Sequence, residues 1–154
     1  MILSLDLGTS TFKAAVFAYD GACVSQASVP LNITGGGLRY EVDPAVWLRA
    51  METALPRLRG VAGVEALAVS GNGPTLVPVT GTPGLDSTGL SVPGGAARLW
   101  LDRRAQGESR RVSALAGAYV DPSFFLPKAL WIKNQEPRLY GETRFFLSAP
   151  EYLL

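Results

Sequence analysis

The stretch Asp6-Leu-Gly-Thr-Ser-Thr-Phe-Lys13 decides how this sequence is interpreted, because it is a polar segment between two apolar ones. Apolar residues occupy positions 2, 3 and 5 before it and alternate positions from 12, near its end, to 18. Alternation with a period of two predicts a strand. We therefore predict a β-hairpin whose turn contains a carboxylate, a glycine and three hydroxyls, with a lysine close by.

The chemistry of this turn suits a polyphosphate. A glycine lets the backbone approach a bulky anion, and hydroxyls, backbone N–H groups and a lysine can donate to phosphate oxygens. Asp6 would be repelled by bare phosphate, so we expect it to hold Mg²⁺, through water. An ordinary polar turn is the alternative, because turns commonly use the same residue types. The candidate nucleotide-binding residues are Asp6, Gly8, Thr9, Ser10, Thr11 and Lys13.

Composition limits the class of protein. The 154 residues are 47% hydrophobic, which is enough for one domain or part of one. A net charge of +1 gives no electrostatic reason to expect nucleic acid or a membrane surface as a partner. The sequence has one cysteine, Cys23, and no histidine, which excludes an intrachain disulfide and histidine catalysis. We expect no signal peptide, no transmembrane segment and a cytoplasmic location.

Strands and a helix are predicted to follow the hairpin. Residues 23–33 are predicted to form a third strand, which completes an antiparallel three-strand meander, and residues 34–37 to form a flexible loop. Asp43-Pro44 is typical of a helix start, and Pro56 should end or kink that helix. We expect Trp47, on the apolar face of this helix, to lie in the core.

The next predicted strand leads to a candidate binding loop. Residues 65–69 are predicted to form a buried strand parallel to the first, because a helix precedes it. Ligands bind beyond the carboxyl ends of such strands, where Asn72 would lie. An ordinary Gly-Pro turn at residues 73–74 is the alternative. Residues 76–79 are predicted to form a strand and residues 80–95 a loop.

A second candidate segment lies at residues 98–104, predicted to be a strand that ends at Asp102, with a helix following to residue 115. Asp102 can cap that helix. The arginines around it alternate with acidic residues, so we interpret them as a solvated helix face and not as a nucleic-acid-binding patch.

The last third of the chain is predicted to be mainly helical. Residues 126–134 are predicted to form a helix with Leu126, Leu130 and Trp131 on one face, which Pro137 ends. Residues 144–147 are predicted to form a strand. Ser148-Ala-Pro-Glu151 has the pattern of a capping box, so a helix should begin there, and we expect the natural chain to continue beyond it.

Four ordered stretches resemble the FGGY carbohydrate kinases, especially their xylulokinase-like members, within the actin, Hsp70 and sugar-kinase superfamily. The stretches are Asp6–Lys13 with the pattern Asp-x-Gly-Thr-x-x-x-Lys, Glu41-Val-Asp-Pro44 followed by Trp47, Leu99-Trp-Leu-Asp-Arg-Arg-Ala105, and Lys128-Ala-Leu-Trp-Ile-Lys133 followed by Glu136-Pro137. They are spread over nearly the whole chain. The resemblance implies that residues 1–154 are the N-terminal portion of the first kinase domain, with an α/β, ribonuclease-H-like fold.

The resemblance also implies an activity. It suggests an ATP- and Mg²⁺-dependent kinase that phosphorylates a sugar or polyol hydroxyl. The implied sugar-site residues are Asn72, Trp100, Asp102 and Arg104. The Gly73-Pro74 pair departs from the Met-His pair of the xylulokinase-like pattern, so the sugar stays open. The general base would lie beyond Leu154, and this part alone should be inactive.

Two other functions stay open from the sequence. One is a non-catalytic nucleotide-binding scaffold of the same superfamily, which would have no sugar site at residues 99–105. The other is a stand-alone domain that binds a partner without turnover. A homodimer is one possible assembly of the full-length protein. The sequence does not specify the sugar or the hydroxyl that is phosphorylated.

Overall fold

A computed structural model of the protein describes residues 1–81 and 94–154. Most of the predicted loop at residues 80–95 lies outside these ranges. The described strands, in chain order, are β1 (Ile2–Leu7), β2 (Thr11–Phe17), β3 (Cys23–Pro30), β4 (Thr34–Gly36), β5 (Arg39–Val42), β6 (Ala66–Gly71), β7 (Leu76–Val79), β8 (Ala97–Arg98) and β9 (Phe145–Ser148). The helices are α1 (Ala45–Ala54), α2 (Gln106–Ala116), α3 (Phe125–Gln135), α4 (Pro137–Glu142) and α5 (Ala149–Leu153).

The described residues divide into two compact units. The first contains residues 1–32, 45–72 and 153–154, and the second contains residues 33–44 and 73–152. None of the helices in the described ranges is long and apolar enough to cross a membrane.

The first unit is built on a four-stranded mixed sheet in the order β3-β2-β1-β6. Strands β1, β2 and β3 form the predicted antiparallel meander, and β6 pairs with β1 in parallel. The parallel pairing follows from the connection, because a chain that returns through a helix enters the sheet in the original direction.

One face of this sheet forms the core of the first unit. The alternating residues Phe12, Ala14 and Val16 are buried on β2, as the periodicity predicted. Helix α1 contacts β2 and β3, and its residue Trp47 is buried, which confirms the predicted core position. The helix ends at Ala54, and Pro56 follows in a single 3₁₀ turn.

The second unit contains a separate antiparallel sheet in the order β4-β5-β8-β7-β9. Helix α3 contacts α2, α4 and β7. Helix α5 begins with the predicted capping box, in which the Ser148 N–H donates to Glu151 Oε2 at 2.7 Å and the Glu151 N–H donates to Ser148 Oγ at 3.4 Å.

Three predictions of local structure were wrong. Residues 34–36 are strand β4 and not a flexible loop, because they pair with β5. The strand predicted at residues 98–102 is only Ala97–Arg98, and the following residues turn. Strand β6 is not buried: Leu67 is 51% exposed, and β6 lies at the edge of the sheet with β1 as its one paired strand among the described residues.

The helix predicted at residues 126–134 exists as α3, but its buried face differs from the prediction. Leu126 is 55% exposed, whereas Pro127, Lys128 and Ile132 are buried. Counting apolar residues missed this face because it includes a lysine. Pro137 ends α3 as predicted and also begins helix α4, since proline fits the first turn of a helix.

Candidate functional site

The turn between β1 and β2 is closed tightly. The Gly8 N–H donates to the Thr11 carbonyl at 3.1 Å, and the Leu31 N–H donates to the Ser10 carbonyl at 2.9 Å from the end of β3. A Cβ atom at position 8 would lie 2.7 Å from the Thr11 oxygen, which is closer than such atoms approach. The turn therefore requires glycine at this position.

Replacing Gly8 by alanine is expected to open this turn. The added methyl group must displace the Thr11 carbonyl, so we expect a cost of about 1–3 kcal/mol in local stability. Hydrogen exchange followed by mass spectrometry should show faster exchange in residues 1–18. Gly107→Ala is the matched control, because open space surrounds position 107 in α2 and alanine favours a helix. Equal exchange in Gly8→Ala and the parent protein would contradict the tight turn.

Asp6 lies on β1, which is the middle strand between β2 and β6. In the registers of the sheet it is opposite Lys13 on β2 and Ser70 on β6. The Ser70 hydroxyl donates to Asp6 Oδ1 at 2.8 Å. This bond fixes one carboxylate oxygen and leaves Asp6 half-buried. Ser70 was missed in the sequence, where the only signal was its place at the end of a predicted parallel strand.

Lys13 supplies a positive charge on the same face. Its side chain is exposed, and within residues 1–81 and 94–154 no carboxylate lies within ion-pair distance of its ammonium group. Asp6 and Lys13 line an open cavity of about 560 Å³ over the outer face of β1, β2 and β3. The first unit thus presents a carboxylate and a lysine together beside a glycine turn.

Asn72 is tied to the start of this turn. Its backbone N–H and its side-chain Nδ2 both donate to the Leu7 carbonyl, at 2.9 and 3.1 Å. Leu7 immediately precedes Gly8, so the loop after β6 and the β1–β2 turn are held at one end of the sheet. Asn72 therefore lies beyond the carboxyl end of its strand, as predicted.

Trp100 presents an aromatic surface in the second unit. Its side chain is 41% exposed, although it lies in a segment whose neighbours Leu99 and Asp102 are fully buried. A Cβ atom at Gly73 would lie 3.4 Å from the Trp100 Cβ, in ordinary van der Waals contact with this side chain. An exposed tryptophan held by buried neighbours suits packing against the apolar face of a sugar.

Asp102 is fully buried at 0% exposure and does not cap helix α2, which contradicts that alternative. Its Oδ2 accepts from the Tyr40 backbone N–H at 2.9 Å and from Arg104 at 2.6 Å, and its Oδ1 accepts from Arg104 Nε at 2.9 Å. Arg104 also pairs with Glu41 at 2.6 Å. A sugar hydroxyl could reach the Asp102 carboxylate only by displacing one of these donors.

The Arg104 guanidinium is enclosed by charge and an aromatic ring. It lies 4.9 Å from the ring centre of Trp131, which Arg39 also approaches at 5.8 Å. Burial opposes the charge of Arg104, but hydrogen bonds to Asp102 and Glu41 outweigh burial and raise the pKa of the guanidinium. Arg104 is therefore part of a buried ion-pair network, and its predicted contact with sugar stays a prediction.

Lys128 carries a buried charge. In the sequence it was noted only as the first residue of the stretch Lys128–Lys133. Its ammonium group donates to the carbonyl oxygens of Pro74, Leu99 and Arg98, at 2.5, 2.7 and 3.3 Å. Burial lowers its pKa to about 7, against the attraction of the Asp102 and Asp121 carboxylates. A lysine inside an otherwise apolar helix face was the available signal.

The predicted site residues thus divide between the two units. The first unit holds the predicted nucleotide-binding residues together with Asn72, and the second holds Trp100, Asp102 and Arg104. The described ranges contain no cluster of three or more acidic, cysteine or histidine side chains that could enclose a metal ion.

Comparison with known proteins identifies the family. The model of the N-terminal domain of the FGGY family of carbohydrate kinases matches residues 1–154. The chain belongs to the FGGY family of carbohydrate kinases. The family predicted from the four stretches is confirmed.

Individual relatives agree with this assignment. The xylulose kinase of Escherichia coli K12 is 28% identical over 166 residues, which cover 99% of this chain and 32% of the relative. The crystal structure of a xyloylose kinase from Brucella ovis superposes with a TM-score of 0.83 at 26% identity, covering 98% of this chain and 33% of that one. The chain thus spans about a third of the length of the FGGY kinases that it matches.

A more distant structure supports the fold. Plasmodium falciparum glycerol kinase, solved with ADP, superposes with a TM-score of 0.82 at 18% identity, covering 99% of this chain and 33% of that one. The predicted α/β fold of the sugar-kinase superfamily is confirmed by these neighbours.

Proposed function

We propose that this FGGY chain is the N-terminal part of an ATP-dependent kinase that transfers the γ-phosphoryl group to a hydroxyl of a sugar or polyol. The observation that carries the proposal is the β1–β2 turn, which Gly8 allows to close tightly and beside which Asp6 and Lys13 line one cavity. Phosphoryl transfer depends on positioning and charge neutralisation more than on covalent chemistry by the protein.

The residues of the turn suit the phosphates of a nucleotide. Its backbone N–H groups and the hydroxyls of Thr9, Ser10 and Thr11 are donors, and Lys13 adds a charge that no carboxylate of the described residues neutralises. The relative solved with ADP supports a nucleotide as the ligand.

The donor set beside the turn fits Mg²⁺. This ion prefers oxygen ligands, keeps several waters and needs only one or two carboxylates. Asp6 offers one carboxylate, whose orientation is fixed by the Ser70 hydroxyl at 2.8 Å. Asp6 would hold the ion through water, and the ion would neutralise the phosphate charge that Asp6 would otherwise repel.

The second unit would contribute to the substrate site. Trp100 offers an exposed aromatic face, and Asp102 and Arg104 form the buried support beneath that segment. The sugar contact of Asn72 stays a prediction from the sequence. The relatives named as xylulose and glycerol kinases support a sugar or a polyol as the substrate class.

The proposed parent protein is about three times as long as this chain, since the chain covers 32% of its relative. We place residues 1–154 in the N-terminal portion of its first domain, with the general base in the remainder. Its need for ATP favours the cytoplasm, and a homodimer remains a prediction.

One experiment tests this function. The full-length protein is mixed with Mg-ATP and a panel of pentuloses, hexoses and polyols, and ADP release is measured. We expect ADP release that depends on one class of substrate, and no such release from residues 1–154 alone. Absence of substrate-dependent release from the full-length protein would contradict the kinase and favour a nucleotide-binding scaffold. Turnover by residues 1–154 alone would contradict the proposed need for the remainder.

A further inference from the structure

Lys128 is the most deeply buried lysine in the described part of the chain, with 1% of its surface exposed. Burying an ammonium group costs several kcal/mol unless hydrogen bonds or opposite charges compensate. A methionine or leucine at this position of α3 would fill the same space without that cost. The charge therefore calls for an explanation beyond packing.

The hydrogen bonds of Lys128 give that explanation. An ammonium group has three N–H donors, and three backbone carbonyls surround this one. One acceptor, Pro74, lies in the loop that leads into β7. The other two, Arg98 and Leu99, immediately precede Trp100. A single side chain on α3 thus joins two separate segments of the chain.

Both segments adjoin the proposed substrate surface. Gly73, which precedes Pro74, lies against the Trp100 side chain, since a Cβ atom at position 73 would be 3.4 Å from the Trp100 Cβ. The Leu99 carbonyl accepts from Lys128 at 2.7 Å, and the Leu99 N–H donates to the Tyr40 carbonyl at 3.0 Å. The residue that precedes Trp100 is therefore held through both of its backbone polar groups.

We propose that Lys128 is a positioning residue for the sugar or polyol substrate, because it ties Pro74 to Leu99 and so fixes the Trp100 ring. This proposal rests on the proposed function. Lys128 does not touch the substrate and acts through Trp100. Burial and Arg104 disfavour its charge and outweigh Asp102 and Asp121, which favour it.

Lys128→Met in the full-length protein is the direct test. Methionine keeps the length and the apolar stem of the side chain and removes all three donors. Lys133→Met is the matched control, because Lys133 lies exposed on the same helix and is not bonded to either segment. Both variants are compared with the parent protein well below its melting temperature, so that a loss of stability does not alter the folded fraction.

The position of Trp100 is measured independently of activity. Incorporated 5-fluorotryptophan gives a ¹⁹F signal for each tryptophan, and Trp100→Phe assigns the one at position 100. In Lys128→Met we expect the Trp100 signal to shift and broaden, while the signal of buried Trp47 stays in place. In Lys133→Met both signals should match those of the parent protein.

The kinetic readout separates positioning from a structural role. We expect the KM for the sugar or polyol to rise at least about tenfold in Lys128→Met, with the KM for Mg-ATP within about twofold. A merely structural lysine would lower the amount of active enzyme and leave the KM for sugar unchanged. An unchanged KM together with an unchanged Trp100 signal would overturn the proposal.

Failure of the proposed function can be distinguished from failure of this proposal. If the parent protein phosphorylates no member of the panel, the proposed function fails, and the ¹⁹F signal still decides whether Lys128 positions Trp100.

If Lys128→Met does not fold, Lys128→Arg is used, because a planar guanidinium keeps the charge but cannot place donors on the three carbonyls in the same way. Wild-type KM and Trp100 signal in Lys128→Arg would overturn the proposal.

Discussion

Replacing Asp6 by asparagine is expected to lower the turnover of the proposed full-length kinase about 10²–10³-fold, with little change in its affinity for sugar. Asparagine can still accept the Ser70 hydroxyl that bonds Asp6 at 2.8 Å, so the local fold should persist. The variant loses the charge that would position Mg²⁺ on the phosphates, and removing one preorganised electrostatic group commonly costs about this factor. Turnover is measured at saturating Mg-ATP and sugar.

Asp20→Asn is the matched control for this prediction. Asp20 is exposed in the turn between β2 and β3, where its carboxylate accepts the Ala22 N–H at 2.9 Å, and asparagine can accept the same bond. We expect wild-type turnover in this control. If Asp6→Asn also kept wild-type turnover at saturating Mg-ATP, the β1–β2 turn would not be the phosphate site.

Replacing Asp102 by asparagine is expected to destabilise the protein by roughly 2–4 kcal/mol, because it leaves the Arg104 guanidinium buried with Glu41 as its remaining carboxylate. A helix cap would predict no such loss, since asparagine caps as well as aspartate. Thermal unfolding and the hydrogen exchange of the Tyr40 amide, which donates to Asp102, measure the effect. An unchanged melting temperature would show that the buried pair contributes nothing to stability.

Glu142→Gln serves as the control for a lost ion pair. Glu142 pairs with Arg138 on α4, and both side chains are exposed, so we expect no resolvable change in stability. The effect of Asp102→Asn on the proposed sugar site is measured in the same preparation. We expect the KM for sugar to rise at least about tenfold in Asp102→Asn, because the segment that carries Trp100 loses an anchor.

The first unit was largely predictable because its signals are local. The alternation on either side of the Asp6–Lys13 stretch specified the hairpin, and the following helix specified the parallel pairing of β6. In the second unit, the capping box at Ser148 and Glu151 was also predictable from local sequence, since both partners lie within four residues. The exposure of β6 could not be predicted, because an apolar strand has the same sequence whether or not another element covers its face.

The second unit was less predictable because its contacts are distant in sequence. A helix cap was one interpretation of Asp102, because a helix follows it, but its carboxylate bonds the Tyr40 amide, 62 positions away. Lys128 donates a hydrogen bond to the Pro74 carbonyl across 54 positions, and the sequence around Lys128 does not predict that acceptor. The burial of a charged residue depends on partners that only the tertiary fold brings together.

The central claim is that the β1–β2 turn holds the phosphates of the nucleotide. The most direct test is paramagnetic broadening by Mn²⁺-ATP in the full-length protein, read at individual backbone amides. We predict that the amides of residues 8–11 broaden first, while those of residues 19–22 keep their intensity, because the seven residues of β2 separate the two turns by roughly 20 Å. Equal broadening at the two turns, or broadening at residues 19–22 alone, would contradict the claim.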